Sequence, residues 1–282
     1  MENRSSHFLI FGILFMFLIQ TSFSQNITTP EASSRAIHPG LKAVLVMIHG
    51  KCLILAWLFF MTIGIMCARY FKSHWSHRTI CGLQLWFHVH RAFNIIAAVL
   101  AIAGLVAILI AHEWKWTGPK VGGGSRNYST ASYHSIFGIF AIIFAWLQPF
   151  VALLRCGKDH PARAYFNWAH RALGMVAWVF GIAAIALACD FTTYVSSVQN
   201  ATIAICIFIA GTLIAFIFGD SLLILLQSKL TIPNTDNKQQ TLLPSISIKT
   251  VKRLMTAIGT LYICLTAAVS IALISFIGAR RK

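Results

Sequence analysis

Five of the eleven histidines fall inside long apolar segments, where a membrane-spanning helix would hold them. They are His49, His88, His90, His134 and His170. Ionisable side chains at that depth are rare and mark candidate functional sites by default. Because imidazole is a common metal ligand, histidines that face one another between helices favour the chemistry of a metal or a metal cofactor.

The spacing of these histidines forms a pattern along the chain. Each of the first four apolar segments carries a histidine one or two turns from its N-terminal end. Since successive helices run in opposite directions, His49 and His134 should share an outer layer. His170 should share the inner layer with His90 or His88. These two alternatives are about 200° apart around a helix, so only one of them can face a shared ligand.

Two histidines at one depth can hold a single metal from both sides. An iron porphyrin is flat and largely apolar at its edge, and it fits between the helices of a bundle. Two axial imidazoles leave the iron no open position, which favours electron transfer over oxygen activation. We therefore predict two haem b groups, with their irons roughly 15–20 Å apart. Gly138 and Gly174, each four residues after a histidine, should leave room for the macrocycle, unless they serve close helix packing.

The elements that must position these residues are membrane helices. Of the 282 residues, 57% are apolar and 11% are charged, against about 25% charged in a soluble domain. Six segments have bilayer-spanning length: Leu41–Ala68, Leu85–Ala111, Ser132–Leu154, Phe166–Ala188, Ala201–Gln227 and Val251–Gly278. We predict an all-α, polytopic membrane bundle with a central four-helix core that holds both haems. Spans five and six should shield this core or form the face of a homodimer.

The ends of the chain suggest its orientation. Met1–Ser24 has Arg4, an apolar core and small residues before Gln25, which is typical of a signal peptide, the alternative being an uncleaved anchor. We therefore divide the chain into a signal peptide (1–24), a short extracellular segment (25–40) and a membrane domain (41–282). With the mature N-terminus outside, the cytosolic connections carry more Lys and Arg than the outer ones, although the basic tail opposes this bias.

Glycosylation sequons agree with this orientation. Those at Asn26 and Asn127 lie on the side predicted to be outside, and both are candidate glycosylation sites. We expect an integral multi-pass protein of the secretory pathway, in the plasma membrane or a vesicle and in contact with lipid.

Composition also excludes several functions. The net charge of +16 is spread between the apolar segments and forms no basic face, which argues against nucleic-acid binding. None of the seven cysteines forms a CxxC pair, which argues against a disulfide framework or a zinc site. The chain has no dinucleotide-binding glycine fingerprint, so NADPH is not expected as a direct donor.

Several stretches resemble the transmembrane core of the cytochrome b561 family. They are His49-Gly50 with Ala56-Trp57, Trp86-Phe87 with Val89-His90-Arg91, Tyr133-His134 with Gly138, Leu147-Gln148-Pro149, and Asp159-His160-Pro161 leading into Phe166-Asn167-Trp168-Ala169-His170. The resemblance covers about Leu41 to Gly278. It implies that the first and third histidines hold one haem and the second and fourth hold the other, with His90 rather than His88 as the ligand. It also implies electron transfer from a cytosolic donor such as ascorbate to an outside acceptor, often ferric iron.

The chain departs from this family in two places. Larger relatives carry reeler and DOMON domains before the core, whereas only Gln25–Gly40 precede it here. Any recognition that those domains provide is therefore in question. Lys51 stands in the first span where the relative is apolar, and it either meets a haem propionate or extends its charge to the interface.

Basic residues surround the predicted haem layers. Arg91 and Arg171 directly follow the inner ligands, and Arg69 and Lys72 are expected nearby. Such a cluster would attract an anionic donor or haem propionates, the alternative being the ordinary positive charge of a cytosolic face. The outer side has its own polar residues: Lys115, Lys120, Arg126 and Tyr133 for propionates or an anionic chelate, and His112 and Glu113 for a metal cation.

We conclude from the sequence that the protein is a transmembrane oxidoreductase. Two other classes are compatible with histidines in a membrane bundle. One is a transporter or channel for metal ions, and the other is a non-catalytic partner or receptor subunit.

Overall fold

The computed structural model describes residues 37–75, 77–157, 159–231 and 247–278. Within these ranges, six helices are long and apolar enough to cross a membrane, which confirms the predicted all-α membrane bundle. They are α1 (Pro39–His74), α2 (Leu85–Ala111), α3 (Thr130–Leu153), α4 (Arg163–Phe191), α5 (Val198–Thr231) and α6 (Ile248–Phe276). The predicted signal peptide and Asn26 lie outside the described residues.

The helices begin at capping residues. Ser129 and Ser247 each accept a hydrogen bond from a backbone N–H in the first turn of α3 and α6. The helices generally extend beyond the predicted spans because hydropathy marks only the apolar part of a helix. The largest difference is at α1, which continues past Ala68 to His74 and includes Arg69 and Lys72.

Helix α1 is not α-helical throughout. It is π-helical over Leu55–Met61 and again over Cys67–Phe71. The Thr62 hydroxyl donates to the Trp57 carbonyl, five residues earlier, at 2.8 Å, and so supports the wider turn. The same hydroxyl accepts a 2.8 Å hydrogen bond from the indole N–H of Trp178 on α4. Thr62 and both tryptophans are buried. The two hydrogen bonds of the Thr62 hydroxyl therefore tie α1 to α4 in the middle of the bundle.

The helices pack as three antiparallel pairs: α1 with α2, α3 with α4, and α5 with α6. A short β-hairpin of β1 (Thr79–Ile80) and β2 (Leu83–Gln84) joins α1 to α2. Its two-residue turn, Cys81 and Gly82, has positive φ at both positions, as a tight hairpin requires. Contacts between α2 and α3 are few, so the first two helix pairs face each other across a loosely packed interface.

The α5–α6 pair supports α1. Near one end of the bundle Arg69 forms a bidentate ion pair with Asp220 on α5, with N–O distances of 2.8 and 2.9 Å. At the other end, the last residues of α6 reach Gly50, where an added Cβ would lie 2.9 Å from Ile277. This support is consistent with the shielding role predicted for spans five and six.

Large apolar side chains cover the outer surface of the bundle. Val99, Leu213 and Leu261 are 62%, 58% and 70% exposed, respectively. Exposure on this scale suits a surface that faces lipid, where apolar side chains lose nothing by being uncovered.

We predict that Thr62→Val lowers the stability of the protein. The substitution would leave the buried indole N–H of Trp178 without an acceptor, which costs about 1–3 kcal/mol. The thermal unfolding midpoint in detergent should fall, whereas Thr62→Ser, which keeps the hydroxyl, should stay near wild type. An unchanged midpoint in Thr62→Val would show that this hydrogen bond does not stabilise the bundle.

Candidate functional site

Four of the five histidines within the membrane meet in two pairs across the interface between the first two helix pairs. The imidazole centroids of His49 on α1 and His134 on α3 are 6.0 Å apart, and we call this pair the His49 layer. Those of His90 on α2 and His170 on α4 are 6.4 Å apart and form the His90 layer. All four side chains are partly buried.

These distances match the requirement of a metal held between two imidazoles. An imidazole nitrogen binds a first-row metal at about 2 Å, and the ring centre lies roughly 1.2 Å beyond that nitrogen. Two such ligands on opposite sides of one metal therefore place their ring centres about 6.3 Å apart. The observed 6.0 and 6.4 Å fit a bis-imidazole iron centre in each layer.

Three of the four rings are oriented by the backbone of the adjacent antiparallel helix. Nδ1 of His49 donates to the Gly104 carbonyl at 2.9 Å, and Nδ1 of His90 donates to the Gly64 carbonyl at 2.9 Å. Nδ1 of His134 donates to the Ala184 carbonyl at 2.8 Å. A carbonyl can only accept, so each Nδ1 carries the proton and Nε2 is left free to bind a metal. Small residues at the three acceptor positions allow the neighbouring helix to approach closely.

The environment of His170 is different. Its Nδ1 is buried without a hydrogen-bond partner. Its ring lies parallel to that of Phe166, at a centroid distance of 5.9 Å and an interplanar angle of 10°. The Gln148 side chain on α3 donates from Nε2 to the His170 backbone carbonyl at 3.1 Å.

His88 lies apart from the two pairs. Its Nε2 donates to the Ile80 carbonyl of the β-hairpin at 2.9 Å, and Arg91 contacts its Nδ1 at 3.5 Å. The side chain therefore anchors the hairpin against α2, while His90, two residues later, faces α4.

The glycines near the histidines have different surroundings. A Cβ added at Gly138 would meet nothing within 4 Å, so there is room beside His134 for a flat group. The space at Gly174 is not free, because an added Cβ would lie 3.2 Å from Nε2 of Gln148. Gly174 therefore also leaves room for the Gln148 side chain, and its role as clearance for a macrocycle stays a prediction.

Cations and aromatic rings surround the entrance to the His90 layer. The guanidinium groups of Arg91 and Arg155 lie 5.6 and 5.9 Å from the centre of the Phe87 ring, and Lys72 lies 5.6 Å from that of Trp86. Burial and the neighbouring charge of Arg163 lower the pKa of Arg155. We call Lys72, Arg91, Arg155 and Arg171 the cationic rim.

Arg69 does not stand free among these cations. Its guanidinium is held by Asp220, and the same Nε lies 3.1 Å from the Tyr70 hydroxyl. By contrast, Nε of Arg171 donates only to the Asn167 carbonyl of its own helix, at 3.1 Å. The charge of Arg69 is thus compensated by Asp220 in an exposed ion pair. Arg155 was not among the site residues predicted from the sequence, because its neighbour Phe87 is distant in the chain.

A polar cleft of about 490 Å³ opens at the other end of the bundle, where α1 begins and α2 ends. Polar residues that line it are Lys42, His112, Glu113, Lys115, Thr117, Lys120 and Arg126. Glu113 has a positive φ of 53°, and its carboxylate binds Lys115 at 2.6 Å. The hydrogen bond from Lys115 lowers the Glu113 pKa, whereas burial and the nearby Lys42 charge lower that of His112. Near pH 7 the cleft therefore combines several cations with one carboxylate.

Asn127 has a structural role at this end. Its side-chain Nδ2 donates to the Lys120 carbonyl at 2.8 Å, and its Oδ1 accepts from the Lys120 N–H at 3.0 Å. These bonds close the loop before α3. The glycosylation of Asn127 stays a prediction.

The described residues contain no cluster of three or more His, Cys, Asp or Glu side chains that could hold a metal ion. The four histidines instead form two separate pairs. A pair of imidazoles suits a metal whose other ligands come from a cofactor, as in a porphyrin, better than it suits a bare ion.

Comparison with known proteins finds one matching family model and several similar proteins. The family model described as eukaryotic cytochrome b561 matches residues 48–196. Human ferric-chelate reductase 1 is 33% identical over 147 residues, which cover 52% of this chain and 23% of that protein. Ferric-chelate reductase 1 from Bos taurus is 30% identical over 148 residues, with coverage of 52% and 23%. A cytochrome b561 and DOMON domain-containing protein from Arabidopsis thaliana is 31% identical over 134 residues, with coverage of 48% and 29%.

No solved structure matches the chain. The matched part is only about a quarter of the length of these relatives. The family match, however, covers more than half of this chain and includes all four paired histidines. The chain therefore belongs to the eukaryotic cytochrome b561 family.

Proposed function

We propose that this protein carries electrons across a membrane through two b-type haems and reduces ferric iron, or another acceptor outside the cytosol, with a cytosolic donor such as ascorbate. Membership of the cytochrome b561 family implies haem b and transmembrane electron transfer. The observation that carries the proposal of two haems is the pair of imidazole–imidazole distances, 6.0 and 6.4 Å, in separate layers.

The separation of the layers follows from α1. This helix carries His49 and also the Gly64 carbonyl that orients His90, fifteen residues later. At about 1.5 Å per residue, the two layers lie on the order of 20 Å apart, which is most of the apolar thickness of a bilayer. A bound haem supplies reversible one-electron chemistry, and two axial histidines keep the iron closed to oxygen.

The residues of the two layers have assigned roles in this proposal. His90 and His170 would hold one haem on the cytosolic side, and His49 and His134 would hold the other on the outer side. Their Nδ1–H groups, where bonded to carbonyls, fix the ring orientation and strengthen the imidazole as a ligand. We also propose that residues 1–24 are a signal peptide and that the mature N-terminus lies outside the cytosol.

The cationic rim would bind the reductant. Arg91, Arg155 and Arg171 have no carboxylate within ion-pair distance among the described residues. An anion such as ascorbate would supply the missing counter-charge. Arg69 is the least suitable of the predicted contacts because Asp220 already neutralises it.

The polar cleft at the His49 end would receive the acceptor. Its cations suit the anionic arms of an iron chelate. The name ferric-chelate reductase, printed for the relatives from human and Bos taurus, supports iron as the acceptor. Neither a metal-ion transporter nor a non-catalytic receptor subunit is favoured by a specific feature of the described residues.

We predict that His90→Ala removes one of the two haems, because it leaves one iron with a single axial ligand. The haem-to-protein ratio of the purified protein should fall by half, and His170→Ala should behave in the same way. His88→Ala, a matched control on the same helix, should retain both haems. If His88→Ala loses a haem while His90→Ala keeps two, the ligand is His88 and not His90. A colourless wild-type protein made with ample haem supply would refute the proposal as a whole.

We predict that Arg171→Gln weakens the use of ascorbate. Loss of one exposed charge contact costs about 0.5–1 kcal/mol, or roughly a two- to fivefold rise in the KM for ascorbate. Reduction of the haems by ascorbate, followed by absorbance, measures this change. Lys249→Gln, which removes an exposed cation at the start of α6, is the control and should leave the KM unchanged. An unchanged KM in Arg171→Gln would show that the cationic rim does not bind ascorbate.

A further inference from the structure

Two buried polar atoms on residues that contact each other lack hydrogen-bond partners. One is Nδ1 of His170, and the other is Oε1 of Gln148. A protonated Nδ1 is a donor and an amide oxygen is an acceptor, so each offers what the other lacks. Unpaired polar atoms in a membrane interior are costly, so two of them on neighbouring residues need an explanation.

The two residues already lie against each other. Nε2 of Gln148 donates to the His170 backbone carbonyl at 3.1 Å. Gly174, one turn after His170, has no side chain and so leaves the space that the Gln148 amide occupies. A larger residue at that position would push against the amide.

The antiparallel register assigns Gln148 to the position of the missing acceptor. His134 on α3 donates to Ala184 on α4, and His170 lies fourteen residues before Ala184. Fourteen residues after His134, α3 reaches Gln148. A similar relation holds between α1 and α2, where His49 donates to Gly104 and, fourteen residues before Gly104, His90 donates back to Gly64, fifteen residues after His49.

The residue types explain why a side chain replaces the backbone here. The three acceptors that are carbonyls belong to Gly64, Gly104 and Ala184, whose small size allows close approach of the helices. On α3 the residue in register with His170 is Gln148, whose side-chain amide has an acceptor oxygen of its own.

We propose that Gln148 is a positioning residue for His170. Its Oε1 accepts a hydrogen bond from Nδ1–H, while its Nε2 keeps the bond to the His170 carbonyl. This hydrogen bond would fix the orientation of the His170 ring. It would also set how strongly His170 donates electrons to the iron, through a side chain rather than through a backbone carbonyl. The inference rests on the proposed function because it requires a haem in the His90 layer.

Substitutions of Gln148 test the proposal through the midpoint potentials of the two haems. Gln148→Leu removes the acceptor, which should weaken His170 as a donor and raise the potential of the haem in the His90 layer. Gln148→Glu offers a stronger, charged acceptor and should lower it. Gln148→Leu should also reduce haem affinity in that layer by about 10- to 100-fold.

Two controls accompany these variants. The haem of the His49 layer is an internal control and should keep its potential. Gln199→Leu makes the same change at an exposed position at the start of α5 and should alter neither haem. If Gln148→Leu does not fold, Gln148→Glu, which preserves the shape of the side chain, carries the test.

The outcomes separate this inference from the function on which it rests. Opposite shifts of one potential in the two variants support a role for Gln148 on His170. Unchanged potentials in a protein that holds both haems overturn the inference and leave the proposed function intact. A wild-type protein without haem overturns the proposed function, and this inference with it.

Discussion

The hydrogen bond from a ligand imidazole to a carbonyl on the adjacent antiparallel helix is the interaction on which the site depends. Water does not reach the apolar core of a bilayer, so an imidazole N–H there must find a partner within the protein. His49, His90 and His134 find one in the backbone of the neighbouring helix. Each bond uses Nδ1 and leaves Nε2 free, and the imidazole centroids of the two layers lie 6.0 and 6.4 Å apart.

Helix α1 connects the two layers and therefore has to be held in place. It carries a histidine of one layer and the carbonyl that orients a histidine of the other. Its first π-helical stretch, Leu55–Met61, lies between these two points, and the Thr62 hydroxyl ties this stretch to α4. At its ends, Asp220 of α5 and Ile277 beyond α6 pack against it. Helices α5 and α6 thus contribute to the site without providing a ligand.

Much of this arrangement could be predicted from the sequence. Hydropathy gives the six spans, and the position of one histidine near the start of each of the first four gives the two layers. The partners of the histidines could not be predicted, because Gly64 and Gly104 are ordinary glycines of membrane helices until the register of α1 and α2 is known. The neighbours of Arg69 and Gly174 could not be predicted for the same reason, because Asp220 and Gln148 are distant in sequence.

Two carboxylates at opposite ends of the bundle are each held by a neighbouring cation. At the His90 end Asp220 pairs with Arg69, and the guanidinium groups beside Phe87 have no ion-pair partner among the described residues. At the His49 end Lys115 pairs with Glu113 and lowers its pKa, and further cations line the same cleft. Cations without a carboxylate partner are therefore present at both ends, which suits an anionic donor at one end and an anionic chelate at the other. The direction of electron flow in the proposed function consequently depends on the orientation of the chain in the membrane and not on these charges.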